Sequence, residues 1–316
     1  MTAGVEGPYK FHRCGVNFHV NHENMKEIID IYKRVTFETT LDCLINGPDS
    51  AKLFEHGQML VNVNATLQNF EMKIPDGYLS EHESYSLSIE KSNSANEGIN
   101  VSISAKYYPG YVRALDSLFQ LFETYDENDG TDDTYMLRFL PIYIIDEPAF
   151  PYRGIMIDTA RQFFSLTSLK KIIDTMMLGK INVFHWHVVD DDSWPLEIKS
   201  YPDFTDYAAF SKREVYRHKD VHDLVEYVAT RGVRVVPEIE GPAHLNSIGY
   251  KPGWEQLIGC FKGKTSGSGA PPYAPIDPTN ELTYEILENV FKDIGENFKS
   301  HHWHLGGDEV NQGCWN

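Results

Sequence analysis

The first half of the chain alternates apolar and polar residues in a two-residue period. Apolar side chains recur at every second position in three segments, residues 60–63, 85–89 and 99–104. This period is typical of β-strands in a sheet that has one covered face. Apolar residues at helical spacing around 25–32 and 112–122 predict two helices that cover the sheet. The pattern predicts a small α+β domain over residues 1–150.

From residue 151 onward, short apolar runs alternate with helical periodicity. The runs are residues 155–157, 181–184, 233–236 and 302–305. Helices are predicted between them, over residues 169–177, 221–228 and 286–294. Runs that are buried on both faces and separated by helices favour a parallel α/β sheet. The pattern therefore predicts a second domain over residues 151–316.

Polar residues follow each of the four predicted strands. They are Asp158 and Arg161, then His185, His187, Asp190, Asp191 and Asp192, then Glu238, Glu240 and His244, and finally Asp308 and Glu309. The carboxyl ends of strands form the catalytic face of a (β/α)₈ barrel, and a doubly wound sheet also binds ligands there. The chain has no GxGxxG or phosphate-binding loop, which argues against nucleotide binding.

Composition narrows the classes of function. The chain has 316 residues, 41% of them hydrophobic, and a formal net charge of −18. So acidic a chain repels phosphate backbones, and this argues against a nucleic-acid partner. No apolar stretch is long enough to predict a membrane span. Residues 1–18 lack the pattern of a signal peptide, so either a leader has been removed or the chain is a fragment.

Cysteines and sequons give a hint of compartment. The four cysteines have no metal-ligand spacing, and their even number permits two disulfides. Asn64-Ala65-Thr66 and Asn100-Val101-Ser102 fit a secretory route, although such tripeptides also arise by chance. The acidic residues 126–133 are predicted to form a solvated loop, because their spacing does not match a calcium-binding EF-hand.

The strongest candidate for chemistry is the adjacent pair Asp308-Glu309, which follows Gly306-Gly307. Adjacent residues on a strand point to opposite faces, so both carboxylates serve one substrate only if the backbone twists locally. The two glycines supply that conformational freedom. The alternative is a loop turn with two solvated acids.

The tripeptide His185-Trp186-His187 allows two interpretations. Both imidazoles share one face of a strand, so they either bind one metal ion or form hydrogen bonds with neighbouring carboxylates inside the fold. The second interpretation is favoured. Trp186 and Trp194 either stack on sugar rings or pack in the core, and core packing is the more common role.

Three segments resemble the family 20 glycoside hydrolases, the β-N-acetylhexosaminidases. They are residues 153–161 (RGIMIDTAR), 182–191 (NVFHWHVVDD) and 304–310 (HLGGDEV), and the similarity is strongest to the lysosomal hexosaminidase subunits. Residues 83–89 and 112–115 resemble the small N-terminal domain of that family. The resemblance implies a small α+β domain followed by the first four βα units of a (β/α)₈ TIM barrel.

The resemblance also implies a mechanism in which the substrate's own acetamido oxygen attacks the anomeric carbon, with retention of configuration. By motif position, Glu309 is the general acid and Asp308 holds the acetamido group. Arg153 binds sugar hydroxyls, and the pair Asp190 and His244 supports the acid. No cofactor and no metal ion are implied.

The implied substrates are oligosaccharides or glycoconjugates that end in β-linked N-acetylglucosamine or N-acetylgalactosamine, in a lysosomal or secreted enzyme. Whether the chain forms a homodimer or a heterodimer stays open. Cys260 and Cys314 have settings that resemble a family disulfide. Glu240 stands where the family usually has aspartate, and its extra methylene is expected to shift the contacts of that carboxylate.

The resemblance leaves one alternative open. The later strands of the family's barrel have no counterpart in residues 151–316, so the activity of this chain by itself is uncertain. The alternative function is a truncated, non-catalytic product that acts as a weak sugar-binding module or as a partner of a full-length subunit.

Overall fold

The structure, a computed structural model, has a mixed α/β fold. It describes residues 7–22, 24–37, 59–68, 77–92, 98–125, 134–261, 274–298 and 301–315. The acidic residues 126–133 lie outside this described part. The chain divides into two compact units: unit 1 comprises residues 1–151 with 230–232, and unit 2 comprises residues 152–229 with 233–316.

The described part of unit 1 contains strands and helices where the periodicity predicts them. The strands are β1 (Tyr9–His12), β2 (Val16–Val20), β3 (Leu60–Leu67), β4 (Tyr85–Lys91), β5 (Gly98–Ala105), β6 (Glu123–Thr124), β7 (Thr134–Leu137) and β8 (Ile142–Asp146). The helices are α1 (Asn24–Phe37) and α2 (Tyr108–Gln120). The three predicted strands and both predicted helices are confirmed.

The larger sheet of unit 1 has the strand order β2-β3-β5-β4-β8. Strands β2, β3 and β5 are parallel, whereas β4 is antiparallel to both of its neighbours. Burial alternates along β3 and β5, as it does in a sheet with one covered face. A smaller antiparallel sheet has the order β1-β7-β6.

An aromatic cluster lies beside this sheet in the core of unit 1. The Phe119 ring on α2 lies 5.4 Å from the Tyr32 ring, 5.4 Å from the Phe37 ring and 5.6 Å from the Phe122 ring. Phe119 is 3% exposed. Helices α1 and α2 therefore dock through large aromatic surfaces, and these bury much apolar area per residue.

The described part of unit 2 has strands β9 (Gly154–Asp158), β10 (Val183–His187) and β11 (Arg234–Glu238). Its helices are α3 (Leu166–Leu178), α4 (Phe204–Ala208), α5 (His218–Ala229) and α6 (Glu281–Phe298). The three strands are parallel and in the order β11-β10-β9, which matches the predicted sheet.

The prediction of a fourth strand over residues 302–305 is wrong, because these residues do not form an extended strand. The structure has one isolated parallel bridge there, between Glu238 and His304. The His304 amide donates to the Pro237 carbonyl at 3.0 Å, and the Ile239 amide donates to the His304 carbonyl at 3.1 Å. Gly306 and Gly307 then turn the backbone away with φ of 63° and 117°, which ends the pairing.

The two faces of β10 differ in chemistry. Phe184 and Trp186 are fully buried in the core cluster of unit 2, and His185 and His187 point to the opposite face because side chains alternate along a strand. The expectation that every run is buried on both faces is wrong for β9. Ile155 and Met156 are 40% and 51% exposed, since β9 lies at the edge of the described sheet.

The disulfide prediction is confirmed. Cys260 and Cys314 are bonded, with their Cα atoms 5.3 Å apart. The bond connects the chain after β11 to the segment that follows Asp308 and Glu309. Among the described residues, no helix is both long and apolar enough to cross a membrane.

Truncation of Phe119 tests the aromatic cluster. We expect Phe119→Ala to lower the free energy of unfolding by about 3–5 kcal/mol, because it removes a buried ring and leaves a cavity. Phe139→Ala is the matched control: Phe139 is 53% exposed, so the same change is expected to cost less than about 0.5 kcal/mol. Urea unfolding followed by circular dichroism measures both, and equal losses would contradict the assignment of the core.

Candidate active site

The parallel register aligns three polar side chains at the carboxyl end of the unit 2 sheet. Asp158, His187 and Glu238 are the last residues of β9, β10 and β11 and lie directly opposite one another. The chain after each strand extends the cluster, because parallel strands end at the same edge. The predicted convergence of strand-end groups is therefore present in the structure.

A series of three side chains in contact leads from the buried interior to the surface. Asp190 Oδ1 lies 3.4 Å from His244 Nδ1, and His244 Nε2 lies 3.3 Å from Glu309 Oε2. Asp190 and His244 are buried, whereas the Glu309 side chain is 50% exposed. The structure thus brings together three of the predicted site residues in the order carboxylate, imidazole, carboxyl.

The two buried side chains of this series, Asp190 and His244, are charged at neutral pH. Burial alone would raise the pKa of Asp190, but hydrogen bonds from His187 and His244 outweigh it and lower that pKa to about 2. The hydrogen bond to Asp190 raises the pKa of His244 to about 9, against the opposing effect of burial. An imidazolium therefore faces Glu309, fixed from behind by a carboxylate.

Asp308 joins the same site through the glycine turn. Gly306 and Gly307 have positive φ, and Glu309 itself has φ of 51°, a conformation that L residues rarely adopt. Asp308 Oδ2 lies 3.9 Å from His244 Nε2, the same atom that contacts Glu309. The backbone twist needed to direct both carboxylates to one point is present, and both remain accessible to a ligand, with exposures of 69% and 50%.

A second cluster surrounds Glu238. Its carboxylate lies 2.7 Å from His185 Nε2, 2.8 Å from His187 Nδ1 and 2.6 Å from His304 Nδ1. Burial would raise the pKa of Glu238, but the bonds to His185 and His187 hold it well below its usual range. The two histidines of the tripeptide thus form hydrogen bonds with a carboxylate, which is the favoured interpretation.

The same groups have the composition of a metal site. His185, Glu238 and His304 each offer a ligand atom within 4.8 Å of the others, and so do His187, Glu238 and Glu240. Imidazole and carboxylate suit Zn²⁺. However, His185 and His187 already form hydrogen bonds with Glu238 Oε2, so this carboxylate has partners without an ion.

His187 connects the two clusters. Its Nδ1 faces Glu238, and its Nε2 lies 2.9 Å from Asp190 Oδ2. Burial would lower the pKa of His187, but the hydrogen bonds to Asp190 and Glu238 raise it to about 10. A doubly donating imidazolium between two buried carboxylates compensates their charges and fixes both orientations.

Glu240 differs from Asp190 and Glu238, the other buried carboxyl groups of the two clusters. No imidazole in the described part of the chain forms a hydrogen bond with its Oε2 atom. Its side chain is 3% exposed, and its Oε2 atom has no hydrogen-bond partner among the described residues. Burial and the charge of Glu238 raise the pKa of Glu240 to about 7. Oε2 packs against Gly306, where an added Cβ would lie 1.7 Å from it. The longer side chain at this position therefore reaches the turn that carries Asp308 and Glu309.

Arg153 does not reach the site. It precedes β9 at the amino end of the sheet, where its Nε donates to the Lys180 carbonyl at 2.9 Å. The five residues of β9 separate it from the carboxyl-end cluster, about 16 Å at the rise of an extended strand. The structure therefore does not bring Arg153 to that cluster, and its sugar-binding role stays a prediction.

Arg161 places a guanidinium group at the carboxyl end of the unit 2 sheet. Its terminal nitrogens lie 2.8 Å from Asp158 Oδ2 and 2.8 Å from Asp190 Oδ2, and the side chain is 45% exposed. Sequence reasoning placed it among the strand-end groups but gave it no role. The order of the two arginines could be read from the sequence, since Arg153 precedes β9 and Arg161 follows it.

Neither tryptophan is free to stack on a ligand. Trp186 and Trp194 are both fully buried in the core cluster, and the Trp186 indole donates to Thr159 Oγ1 at 2.8 Å. The core interpretation is confirmed. Glu238, at the centre of the second cluster, is the residue that sequence analysis undervalued, because nothing in the sequence marks a carboxylate as the shared hydrogen-bond partner of His185 and His187.

The comparisons with known proteins agree on one family. Residues 150–316 match the model of the catalytic domain of glycosyl hydrolase family 20. A Bombyx mori chitooligosaccharidolytic β-N-acetylglucosaminidase is 37% identical over 262 residues, which are 81% of this chain and 41% of the relative. A Felis catus β-hexosaminidase subunit β is 40% identical over 207 residues, covering 65% of this chain and 37% of the relative.

A solved structure from the same family is similar to this chain. The chitobiase of Flavobacterium johnsoniae superposes with a TM-score of 0.72 at 28% identity, covering 98% of this chain and 44% of that one. The chain therefore spans about two fifths of the length of these three proteins.

The pKa of Glu240 gives a testable pH dependence. The folded chain keeps this proton to about pH 7, whereas an unfolded glutamate loses it near pH 4.5, so folding stability falls as pH rises through this window. Glu240→Gln removes the titration and is expected to gain up to about 3 kcal/mol over wild type above pH 7, with little difference below pH 4.5. Urea unfolding at several pH values measures this. The exposed Glu285→Gln is the control, and parallel pH curves for Glu240→Gln and wild type would contradict the prediction.

Proposed function

Because the chain belongs to glycosyl hydrolase family 20, we propose that it carries the reacting carboxyl pair of a retaining β-N-acetylhexosaminidase. The observation that carries this proposal is the contact series from Asp190 through His244 to Glu309, with Asp308 beside it. The proposed substrates are glycans that end in β-linked N-acetylglucosamine or N-acetylgalactosamine. The names of the Bombyx mori and Felis catus relatives support hexosaminide hydrolysis.

The proposed architecture is a small α+β domain, residues 1–150, followed by the first half of a (β/α)₈ barrel, residues 151–316. Its support is the sequential order of β9, β10 and β11, their parallel register, and the parallel bridge from β11 to His304. In a barrel of this type, strands follow one another around the axis and place reacting groups at their carboxyl ends.

Glu309 is the proposed general acid. It protonates the glycosidic oxygen as the bond to the leaving sugar breaks, and it later takes a proton from the attacking water. The neighbouring His244 imidazolium stabilises the Glu309 carboxylate that forms on proton donation. Asp190 keeps that imidazole charged and oriented, and Arg161 and His187 in turn hold Asp190.

Asp308 is the proposed partner of the substrate's acetamido group. The acetamido oxygen attacks the anomeric carbon, and the ring that forms carries positive charge. A carboxylate beside that ring accepts the acetamido N–H and stabilises the charge. No protein nucleophile is required, which agrees with the placement of both carboxyl groups on one loop rather than on opposite walls.

Arg161 is a second candidate for sugar binding, beside Arg153, for which the resemblance implies that role. Its half-exposed guanidinium lies beside Asp158 and Asp190 at the mouth of the site. Such a group offers several fixed donors to hydroxyl oxygens. This assignment rests on position alone, since both arginines belong to the same motif.

A lysosomal or secreted location is part of the proposal. The Cys260–Cys314 bond supports it, because disulfides persist in oxidising compartments. Association with a second subunit stays a prediction. The alternative, a non-catalytic sugar-binding product, is not favoured by the comparisons, whose names are those of glycosidases.

Substitution of the two carboxyl groups separates their roles. In protein that contains these 316 residues, we expect Glu309→Gln to lower kcat/KM by about 10²- to 10⁴-fold for poor leaving groups and less for activated aryl glycosides. We expect Asp308→Asn to lower it by about 10²- to 10³-fold whatever the leaving group. Aryl glycosides of graded leaving-group pKa provide the measurement, with Glu285→Gln as control. Identical leaving-group dependence in both variants would exclude the proposed division.

The substrate's acetamido group tests the source of the nucleophile. Replacing it with hydroxyl is expected to abolish turnover, because the internal nucleophile is lost. Hydrolysis of the plain glucoside at a comparable rate, with a covalent sugar adduct on Asp308 or Glu309 by mass spectrometry, would show that the protein supplies the nucleophile. The proposed mechanism would then be wrong.

A further inference from the structure

Two Asn-x-Ser/Thr tripeptides have no part in the proposed hydrolase site. Residues 64–66 lie in β3, and residues 100–102 lie in β5. Residues two apart on a strand point to the same face, so each asparagine shares a face with its hydroxyl partner. The middle residue of each tripeptide is buried and the outer residues are exposed. The folded strands therefore present each sequon with both of its required side chains toward solvent.

The two asparagines are neighbours on one sheet face. Strands β3 and β5 pair in parallel, with Asn62 opposite Asn100 and Asn64 opposite Ser102. Adjacent strands lie about 4.8 Å apart and two residues rise about 6.6 Å, so the Cα atoms of Asn64 and Asn100 are about 8 Å apart. Two attached sugars would leave the sheet side by side.

This face has room for sugar. Ser102 and Ser88 lie between Asn64 and Tyr143 in one row across the sheet. The small serine side chains form the floor of an open groove of about 420 Å³. Tyr143 and Ile145 form its far side on β8 and are 65% and 92% exposed. Hydroxyl groups and exposed apolar side chains together suit the polar and apolar surfaces of a sugar ring.

The cysteines give an independent observation about compartment. Cys260 is bonded to Cys314, and Cys14 is also in a disulfide. Within the described residues no cysteine is free. Disulfides form in the compartments where Asn-x-Ser/Thr sequons are modified. The chain thus has the oxidised cysteines of a protein that meets the glycosylation machinery.

We propose that Asn64 and Asn100 are N-glycosylation sites. The donor is a polyprenyl-pyrophosphate-linked oligosaccharide. The asparagine Nδ2 forms a bond to the anomeric carbon of the first sugar, the bond from that carbon to the phosphate oxygen breaks, and the amide loses one proton while the polyprenyl pyrophosphate leaves. This proposal does not depend on the hydrolase assignment.

The test is expression of the full chain behind a cleavable secretory signal in eukaryotic cells. Intact mass before and after treatment with peptide N-glycosidase in H₂¹⁸O counts the glycans and marks each modified asparagine. We expect two glycans on wild type, one on Asn64→Gln, one on Asn100→Gln and none on the double variant. Because transfer precedes folding, chain retained in the secretory membranes is analysed as well as secreted chain.

Matched variants separate glycosylation from an effect on folding. Asn62→Gln changes the same side chain on the same strand and face, but Asn62-Val63-Asn64 is not a sequon, so both glycans are expected to remain. Thr66→Val keeps Asn64 and is expected to lose its glycan, whereas Thr66→Ser is expected to retain it.

The Cys260–Cys314 bond verifies that the chain reached the oxidising lumen. If that bond is present in a non-reducing peptide map and Asn64 and Asn100 are unmodified, the proposal is overturned. Modification at one asparagine alone overturns the assignment of the other.

Discussion

The candidate site depends on one constraint: buried carboxylates must be compensated by buried imidazoles. Asp190 and Glu238 are almost fully buried, and an unpaired carboxylate in such a place costs several kcal/mol. His187 lies between them and donates to both, which fixes the loop after β10 relative to the end of β11. Because His187 holds Asp190, Asp190 can hold His244, and His244 can face Glu309. The environment of Glu309 at the surface therefore depends on the charge compensation between His187 and Asp190, which lie deeper in the protein.

Parallel register is what makes this compensation possible. Asp158, His187 and Glu238 are each the last residue of a strand, and the register places them opposite one another. Alternation along β10 assigns Phe184 and Trp186 to the apolar core and the histidines to the polar face. A shift of register by one residue would exchange these faces, burying imidazoles among aromatic rings. The apolar packing of Trp186 against the core thus also specifies the position of the polar network.

The sequence predicted those parts of the molecule that depend on period and order. Strands β3, β4, β5 and β9 to β11 follow local alternation or apolar runs, and the strand-end cluster follows from their being parallel. Some properties that depend on contacts differ from the prediction. The segment 302–305 has the composition of a strand but makes only one bridge, because two glycines turn the chain directly after it. Arg153 was assigned to sugar binding by motif membership, and that assignment stays a prediction, with Arg153 before β9 and Arg161 after it.

Glu240 shows how the network assigns charge among neighbouring acids. Glu238 and Glu240 are both buried and close to His187, and two adjacent buried carboxylates do not both ionise readily. Three imidazoles face Glu238, which therefore carries the charge and leaves Glu240 as the protonated member. A neutral carboxyl group can pack against the Gly306 backbone at a smaller desolvation cost than a charged one, which would need its own donors. The extra methylene of glutamate is what extends this neutral group to the turn before Asp308. The position of Asp308 and Glu309 is thus linked to the protonation of Glu240.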